Sequence, residues 1–248
     1  MIELKNANQF DLMRKAGRIV GETLALMREL AKPGITTLEL DRKAEEYIRA
    51  QGAIPAFKGY GGFPGTLCTS VNDQVVHGIP GLRHLESGDI ISIDCGAVIE
   101  GYFGDAALTL PIGEVSEDVL KLLRVTEESL MLGIAQAKLG NRLYDVSYAV
   151  QTHVEANGFS VVRDYVGHGI GRAMHEDPQI PNFGKSGRGP RLEVGMALAI
   201  EPMVNMGTYE VQTLKDHWTV VTKDSRLSAH FEHTIAITEN GPEILTRC

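Results

Sequence analysis

Apolar and polar positions alternate along this chain with two distinct periods. Between residues 8 and 31, Leu12, Ala16, Ile19, Val20, Leu24, Met27 and Leu30 recur at the three-to-four spacing of one helix face. Lys32-Pro33-Gly34 ends that helix, since proline cannot continue it and glycine suits the position after its last turn. Thr36 and Glu39 have the spacing of a capping box. They open a second helix with the stripe Leu40, Ala44, Tyr47 and Ile48, closed near Gly52. A third helix is predicted over about 116–137 and a fourth over about 143–156, the latter stopped by Asn157-Gly158. The other period belongs to strands. Ile90 to Asp94 is β-branched and apolar, Ala97-Val98-Ile99 continues it, Glu100-Gly101 makes a two-residue turn, and Tyr102 to Leu110 returns. A second set covers Met196 to Glu201, Trp218 to Thr222 and His230 to Thr238. Helices interspersed with antiparallel hairpins predict an α+β fold rather than a parallel doubly wound sheet.

These elements repeat. Ala31-Lys32 and Gly34 recur as Ala137-Lys138 and Gly140, and Ala50 and Gly52 recur as Ala156 and Gly158, all at an offset of 106. At the same offset Leu40, Ala44 and Ile48 meet Val146, Val150 and Val154. Further on, Leu85-Glu86, Gly88 and Ile93-Asp94 recur as Leu192-Glu193, Gly195 and Ile200-Glu201, at an offset of 107. Two matches at nearly one offset predict a duplicated helix-helix-sheet unit of about 110 residues, too few copies for a solenoid. The halves, about 8–112 and 113–246, are expected to close around one core as a single domain, 1–248.

Composition narrows the function classes. The 248 residues carry 32 acidic and 24 basic side chains, a formal net charge of −8. That balance argues against a nucleic-acid-binding face, which needs clustered Lys and Arg for phosphate contacts. Cys68, Cys95 and Cys248 are odd in number and widely spaced, which fits free thiols in a reducing compartment. The start, Met1-Ile2-Glu3-Leu4-Lys5, has no basic and apolar leader pattern. No apolar run approaches the roughly 18 residues of a membrane span. The expected location is the cytoplasm.

The chemistry is carried by carboxylates on strands. With Glu100 and Gly101 as the turn, Asp105 stands opposite Gly96, two residues from Asp94. Opposed residues share a face, as do residues i and i+2. Asp94 and Asp105 therefore project together as diagonal neighbours, with Cβ atoms at most about 7–8 Å apart. In apolar surroundings such a pair repels and loses hydration, so it needs a cation or a shared proton. The repeat puts Glu201 where the first half has Asp94, and Glu232 lies on another strand that enters apolar sequence. These four carboxylates, as two related pairs, are expected to converge on the seam between the halves. His168, in Gly167-His168-Gly169-Ile170-Gly171, adds a nitrogen on a backbone that glycine lets approach closely. One imidazole with four carboxylates is unlike a structural zinc site and suits Mn, Fe or Co. The charge matches two divalent ions, such as recur about 3.5–4 Å apart in aminopeptidases and phosphatases.

Asp94 and Asp105, His168 in its glycine run, Glu201-Pro202-Met203 and Glu232-His233-Thr234 together resemble the five-ligand set of the type I methionine aminopeptidases, over nearly the whole chain. The resemblance implies the duplicated, pseudo-two-fold "pita-bread" α+β fold, a curved antiparallel sheet covered by helices. It implies two divalent metal ions per chain (Co, Mn, Fe or Zn). Asp94 and Asp105 would hold one and His168 and Glu201 the other, with Asp105 and Glu232 bridging. It also implies that His77 contacts the peptide at the scissile bond and that His175 hydrogen-bonds the substrate carbonyl. Glu201 would shuttle a proton, and Tyr60, Phe63, Cys68 and Trp218 would form the methionine pocket. The implied activity removes N-terminal methionine from nascent proteins and peptides with a small second residue. An Xaa-Pro aminopeptidase or dipeptidase on the same fold is the alternative. Nascent polypeptide N-termini are the implied partners, with no membrane and no direct nucleic-acid specificity, and the implied state is a monomer. The basic loop Lys185 to Arg191 reads as a solvated connection, with weak ribosome association as its other reading.

Overall fold

Four helices form where the apolar stripes predict them. α1 (Ala7–Leu30) is opened by Asn6, whose side chain accepts from Gln9 N while Gln9 Oε1 accepts from Asn6 N. α2 (Thr37–Ala50) has the expected reciprocal box between Thr36 and Glu39. α3 (Glu117–Gln136) starts at Ser116, and in α4 (Leu143–Ala156) Asp145 reaches back to Arg142 N. Each device satisfies donors that a helix start leaves without an internal partner. The computed structural model describes residues 2–247, so Cys248 lies outside the described residues. Among the described residues no helix is long and apolar enough to cross a membrane.

The strands are β1 (Ile54–Pro55), β2 (Leu67–Val71), β3 (Gln74–Val76), β4 (Ile90–Ile99), β5 (Tyr102–Pro111), β6 (Ser160–Val161), β7 (Gly167–Gly169) and β8 (Glu176–Ile180). In the second half follow β9 (Ala197–Ile200), β10 (Met203–Asn205), β11 (Val211–Thr213), β12 (Val220–Thr222), β13 (Ser228–His230), β14 (Glu232–Thr238) and β15 (Gly241–Ile244). The central sheet is a curled antiparallel half-barrel in the order β1-β4-β5-β14-β9-β7-β8, with β2 also on β4 and β15 on β14. Two small sheets, β13-β10-β6 and β11-β12-β3, border it. The architecture is the expected α+β type.

The hairpin register is the one predicted, with Asp94 opposite Ala107 and Asp105 opposite Gly96. Strand alternation then sorts the two faces. Ile91, Ile93, Cys95, Ala106, Leu108, Leu110, Leu198, Ile200, Ile235 and Ile237 all point to one side. There they pack on Ile19, Val20, Leu24 and Met27 of α1, Leu40, Ala44 and Ile48 of α2, and Leu130 and Ile134 of α3. The other side carries small or polar residues, among them Ser92, Asp94, Gly96, Asp105, Ala107, Thr109, Glu232 and Thr234.

The halves meet where β5 pairs β14, at Ala107 with Glu232 and Ala106 with His233. Threonine hydroxyls extend this short ladder at both ends. Thr234 Oγ1 accepts from Asp105 N at 3.1 Å and donates to Asp105 O at 2.7 Å. Thr109 Oγ1 accepts from His230 N at 2.9 Å and donates to His230 O at 2.8 Å.

Two strand expectations change. Residues 230–238 are not one strand but two, broken at Phe231. The register Ile200 with His233 and Met203 with His230 is continuous, so the break falls opposite Pro202, which has no N–H for the ladder. Only Phe231 N to Pro202 O, at 3.3 Å, crosses there. Trp218 precedes β12 instead of starting it, because Asp216 Oδ1 accepts from both Trp218 N and Thr219 N and holds a turn.

α1 comes closest to the sheet at two glycines. A Cβ on Gly104 of β5 would lie 2.8 Å from Gly17 N and 2.9 Å from the Ala16 carbonyl carbon. Helix and strand backbones therefore touch directly. Gly104→Ala is expected to lower stability by about 1–3 kcal/mol through overpacking. Urea unfolding of the variant measures this, and an unshifted midpoint would refute the close approach.

Candidate active site

One cavity of about 170 Å³ opens on the polar side of the sheet. Its floor is Asp94, Asp105, His168, Glu201 and Glu232, its walls are Phe57, Tyr60, Phe63, Cys68, Met174 and Trp218, and His77 and His175 complete the lining. Every site residue anticipated from the sequence lies there. They reach it from β2, β4, β5, β7 and β14, the residue just after β9, and four loops.

Local chemistry fixes each group. Asp41 of α2 is buried and its Oδ1 accepts from Thr66 N and Leu67 N, which anchors the start of β2 and so Cys68. His77 has φ 60, a left-handed conformation unusual for a non-glycine residue. Its ring lies edge-on to Tyr165 and Trp218. Gly78 follows, where a Cβ would fall 2.3 Å from Thr69 O, so the chain there runs against β2. His175 Nδ1 is hydrogen-bonded to Tyr60 Oη at 2.8 Å, and its ring is 4.4 Å from that of His168. Asn182 donates to Glu201 O at 3.0 Å, which steadies the bend into Pro202. Phe63 meets the Trp218 ring edge-on at 5.1 Å.

The floor concentrates buried carboxyl groups with no lysine or arginine beside them. Burial, then the proximity of Asp105, pushes the Asp94, Glu201 and Glu232 carboxyls well above the usual range. Burial raises Asp105 itself to about 7. Burial also lowers His168 and His77 to about 4 and His230 to about 3, so these rings are neutral at physiological pH. Burial pulls His175 down as well.

The donor set fits divalent cations. Asp94 Oδ1, Asp105 Oδ1 and Glu232 Oε1 are buried without a hydrogen-bond partner. Such atoms are costly unless something pairs with them. His168 Nδ1 is 2.9 Å from Gly169 O. A carbonyl only accepts, so Nδ1 carries the proton and Nε2 presents a lone pair. That lone pair stands 3.6 Å from Glu201 Oε1 and 3.9 Å from Asp105 Oδ2, an arrangement suited to a cation between them. Ligand atoms of Asp105, His168 and Glu232 lie within 4.8 Å of one another, and so do those of Glu201, His230 and Glu232.

Two neighbours escape the sequence reading. Phe57 packs against Gly96, where a Cβ would meet its ring at 2.7 Å, and nothing in the sequence marks it as a wall. His230 is 1% exposed, with Nε2 3.6 Å from Glu201 Oε2. Its signal was available, because it stands two residues before Glu232 and so shares that face. The loop from Lys185 to Arg191 does more than span a gap. Asp145 accepts from Ser186 Oγ and Gly187 N, and Arg142 donates to Gly189 O, which straps the loop to the start of α4.

A curled sheet covered by helices, with a buried floor of carboxylates and one imidazole in a cavity, defines a metal-dependent hydrolase. The family model for metallopeptidase family M24 matches residues 11–239. The chain is 63% identical over 246 residues to a methionine aminopeptidase of Clostridium perfringens, covering 99% of each. It is 59% identical to methionine aminopeptidase 1 of Bacillus subtilis over the full length of both. The crystal structure of methionine aminopeptidase from Thermotoga maritima superposes with a TM-score of 0.99 at 49% identity, covering both chains completely. The chain belongs to metallopeptidase family M24, within its type I methionine aminopeptidases.

The shifted groups make a pH prediction. Above about pH 7.5 an unfolded chain has released nearly all the protons of its carboxylates and histidines. The folded metal-free site still holds protons on its raised carboxyls, so it binds more protons than the unfolded chain, and stability falls as pH rises. Each retained proton contributes a slope of about 1.4 kcal/mol per pH unit. Below about pH 7.5 the depressed histidines act increasingly in the opposite sense. Unfolding in EDTA between about pH 7.5 and 8.5 is expected to show this fall, and saturating Mn²⁺ to flatten it. Equal slopes in both conditions would contradict it.

Proposed function

We propose that this chain is a methionyl aminopeptidase that removes N-terminal methionine from nascent proteins and peptides with a small second residue. The observation that carries the reading is the single cavity joining a carboxylate floor, an apolar slot and two histidines. Two divalent ions, drawn from Co, Mn, Fe and Zn, would be held by Asp94, Asp105, His168, Glu201 and Glu232. When bound, such ions supply Lewis acidity and a water acidic enough to attack a carbonyl near neutral pH. Residues 1–248 are read as one catalytic domain, because the two halves share one sheet through the β5–β14 seam. A cytoplasmic, monomeric enzyme acting on newly made chains is the matching setting, and a weak ribosome contact through residues 185–191 remains part of the proposal.

The chain's own groups divide the work. Phe63, Cys68, Met174 and Trp218 offer ring edges and sulfur to an unbranched thioether, with Phe57 and Tyr60 closing the slot. Seating the methionine side chain there brings the first peptide carbonyl beside the carboxylate floor. The acidic floor also favours a free α-amine, which restricts cleavage to the first residue. His175, with Nδ1 engaged by Tyr60, has Nε2 left to donate to the carbonyl oxygen as it gains negative charge. Glu201 takes the proton of the attacking water on its carboxylate and passes it to the leaving amine. His77, held between Tyr165 and Trp218, orients the peptide beyond the scissile bond.

Purified protein stripped by chelator and reloaded with Mn²⁺ or Co²⁺ is expected to release methionine from Met-Ala-Ser. Preference for Xaa-Pro substrates would favour the dipeptidase alternative, and an inactive metal-loaded protein would overturn the proposal. His175→Ala should lower kcat about 10²–10³-fold with little change in KM, the scale for losing one oxyanion donor. A KM effect alone would remove His175 from that role.

A further inference from the structure

The repeat and the sheet register together single out His230. The ungapped match that ends at Asp94 and Glu201 fixes the correspondence of β4 with β9. In the first half Asp94 stands opposite Ala107, and Asp105 stands opposite Gly96. In the second half the continuous register from Ile200–His233 to Met203–His230 puts Glu201 beside Glu232. Glu232 thus corresponds to Ala107, and His230 opposite Met203 corresponds to Asp105. The two carboxylate pairs are therefore related through Asp94 and Glu201, while Asp105 and Glu232 occupy different places in their halves. The threonine clamps obey the same correspondence. Thr234 grips the backbone of Asp105 by both N–H and C=O, and Thr109 grips that of His230 in the same way.

His230 is thus built into the place that in the other half holds a proposed metal ligand. It is 1% exposed, and its Nε2 is buried without a hydrogen-bond partner. The nearest opposite group is Glu201 Oε2 at 3.6 Å. The other oxygen of that carboxylate, Oε1, is 3.6 Å from His168 Nε2. Glu201 therefore lies between two imidazoles, and the one with its lone pair committed toward the cavity is His168.

We infer that His230 is a positioning residue of the candidate metal centre, donating from Nε2 to Glu201 Oε2 and so keeping Oε1 on the side of His168 Nε2, where the two residues together would hold a cation. This rests on the metallopeptidase reading of the site. A buried ring with a fixed backbone can hold a carboxylate in one rotamer where solvent cannot. The group pays out its effect through the ion's affinity and through the proton carried by Glu201, while the methionine slot stays untouched.

The test uses His230→Leu and His230→Gln in the full chain. Glutamine keeps an N–H donor at about the reach of Nε2, whereas leucine removes it. Mn²⁺ titration calorimetry of the metal-free proteins, Co²⁺ absorption spectra and Met-Ala-Ser kinetics are the readouts. In the leucine variant the Mn²⁺ affinity of the site that Glu201 and His168 would form is expected to fall about tenfold or more, the scale for removing a partner of a metal ligand. Any other Mn²⁺ step in the isotherm is expected to be unchanged, kcat to fall at least tenfold, and KM to hold within about threefold. The glutamine variant should restore affinity and kcat to near the unaltered protein, with the same Co²⁺ bands. A leucine variant with unaltered isotherm and kcat overturns the inference. So does a glutamine variant that fails like leucine with changed Co²⁺ bands, since the ring itself would then be a ligand. If the leucine variant does not fold, His230→Ala carries the same expectations. Unaltered protein that binds no Mn²⁺ and releases no methionine would instead overturn the metallopeptidase reading.

Discussion

Four carboxyl groups crowd one face of a buried sheet, and the cost of holding them there is what the surrounding structure has to offset. Removing that much charge from water is unfavourable, and placing like charges side by side adds to the cost. Asp94 Oδ1, Asp105 Oδ1 and Glu232 Oε1 have no hydrogen-bond partner. No lysine or arginine lines the cavity to balance them. The folded chain therefore maintains a strong preference for cations at one point. The close-packed apolar face on the other side of the same strands supplies the stability that offsets it.

The geometry of that point follows from the sheet. Strand alternation separates the apolar face from the carboxylate face with no special device beyond the register of β4 and β5. Small residues stand among the carboxylates, with Gly96 and Ala107 beside them, which leaves room for the cavity. The slot beside it is made from loops. Asp41, Asp216 and the left-handed backbone at His77 hold those loops in place. Strands and the residue just after β9 thus carry the carboxylates and His168, and anchored loops carry most of the apolar slot beside them.

Much of this was legible in the sequence. The four helices, the β4–β5 hairpin and its register, and the pairing of Asp94 with Asp105 follow from periodicity and turn chemistry, and Glu201 follows from the repeat. The less legible parts depended on tertiary partners. β7 is three residues long and too short for any periodicity, although it carries His168. The break at Phe231 is set by Pro202 on the opposing strand, which a local reading of residues 230–238 does not consult. Phe57 becomes a wall only because Gly96 lets its ring approach. His77 and His175 were placed by resemblance, since neither has a pattern of its own. His230 is within reach of the alternation rule, since it stands two residues before Glu232.

The β5–β14 seam has a consequence for the chain as a whole. Cut between β5 and α3, the first half would expose β5 as a long apolar edge strand, and the second half would expose the start of β14, which β15 does not cover; their unpaired N–H and C=O groups seek another strand. The best available mate for either edge is the other half, which already has the matching register and the threonine that completes it. The seam is thus a dimer interface enclosed within one polypeptide. Its metal-seeking floor belongs to neither half, because Asp94 and Asp105 come from one and His168, Glu201 and Glu232 from the other. Covalent linkage makes the association of the two parts unimolecular, so the site assembles at any protein concentration, however dilute.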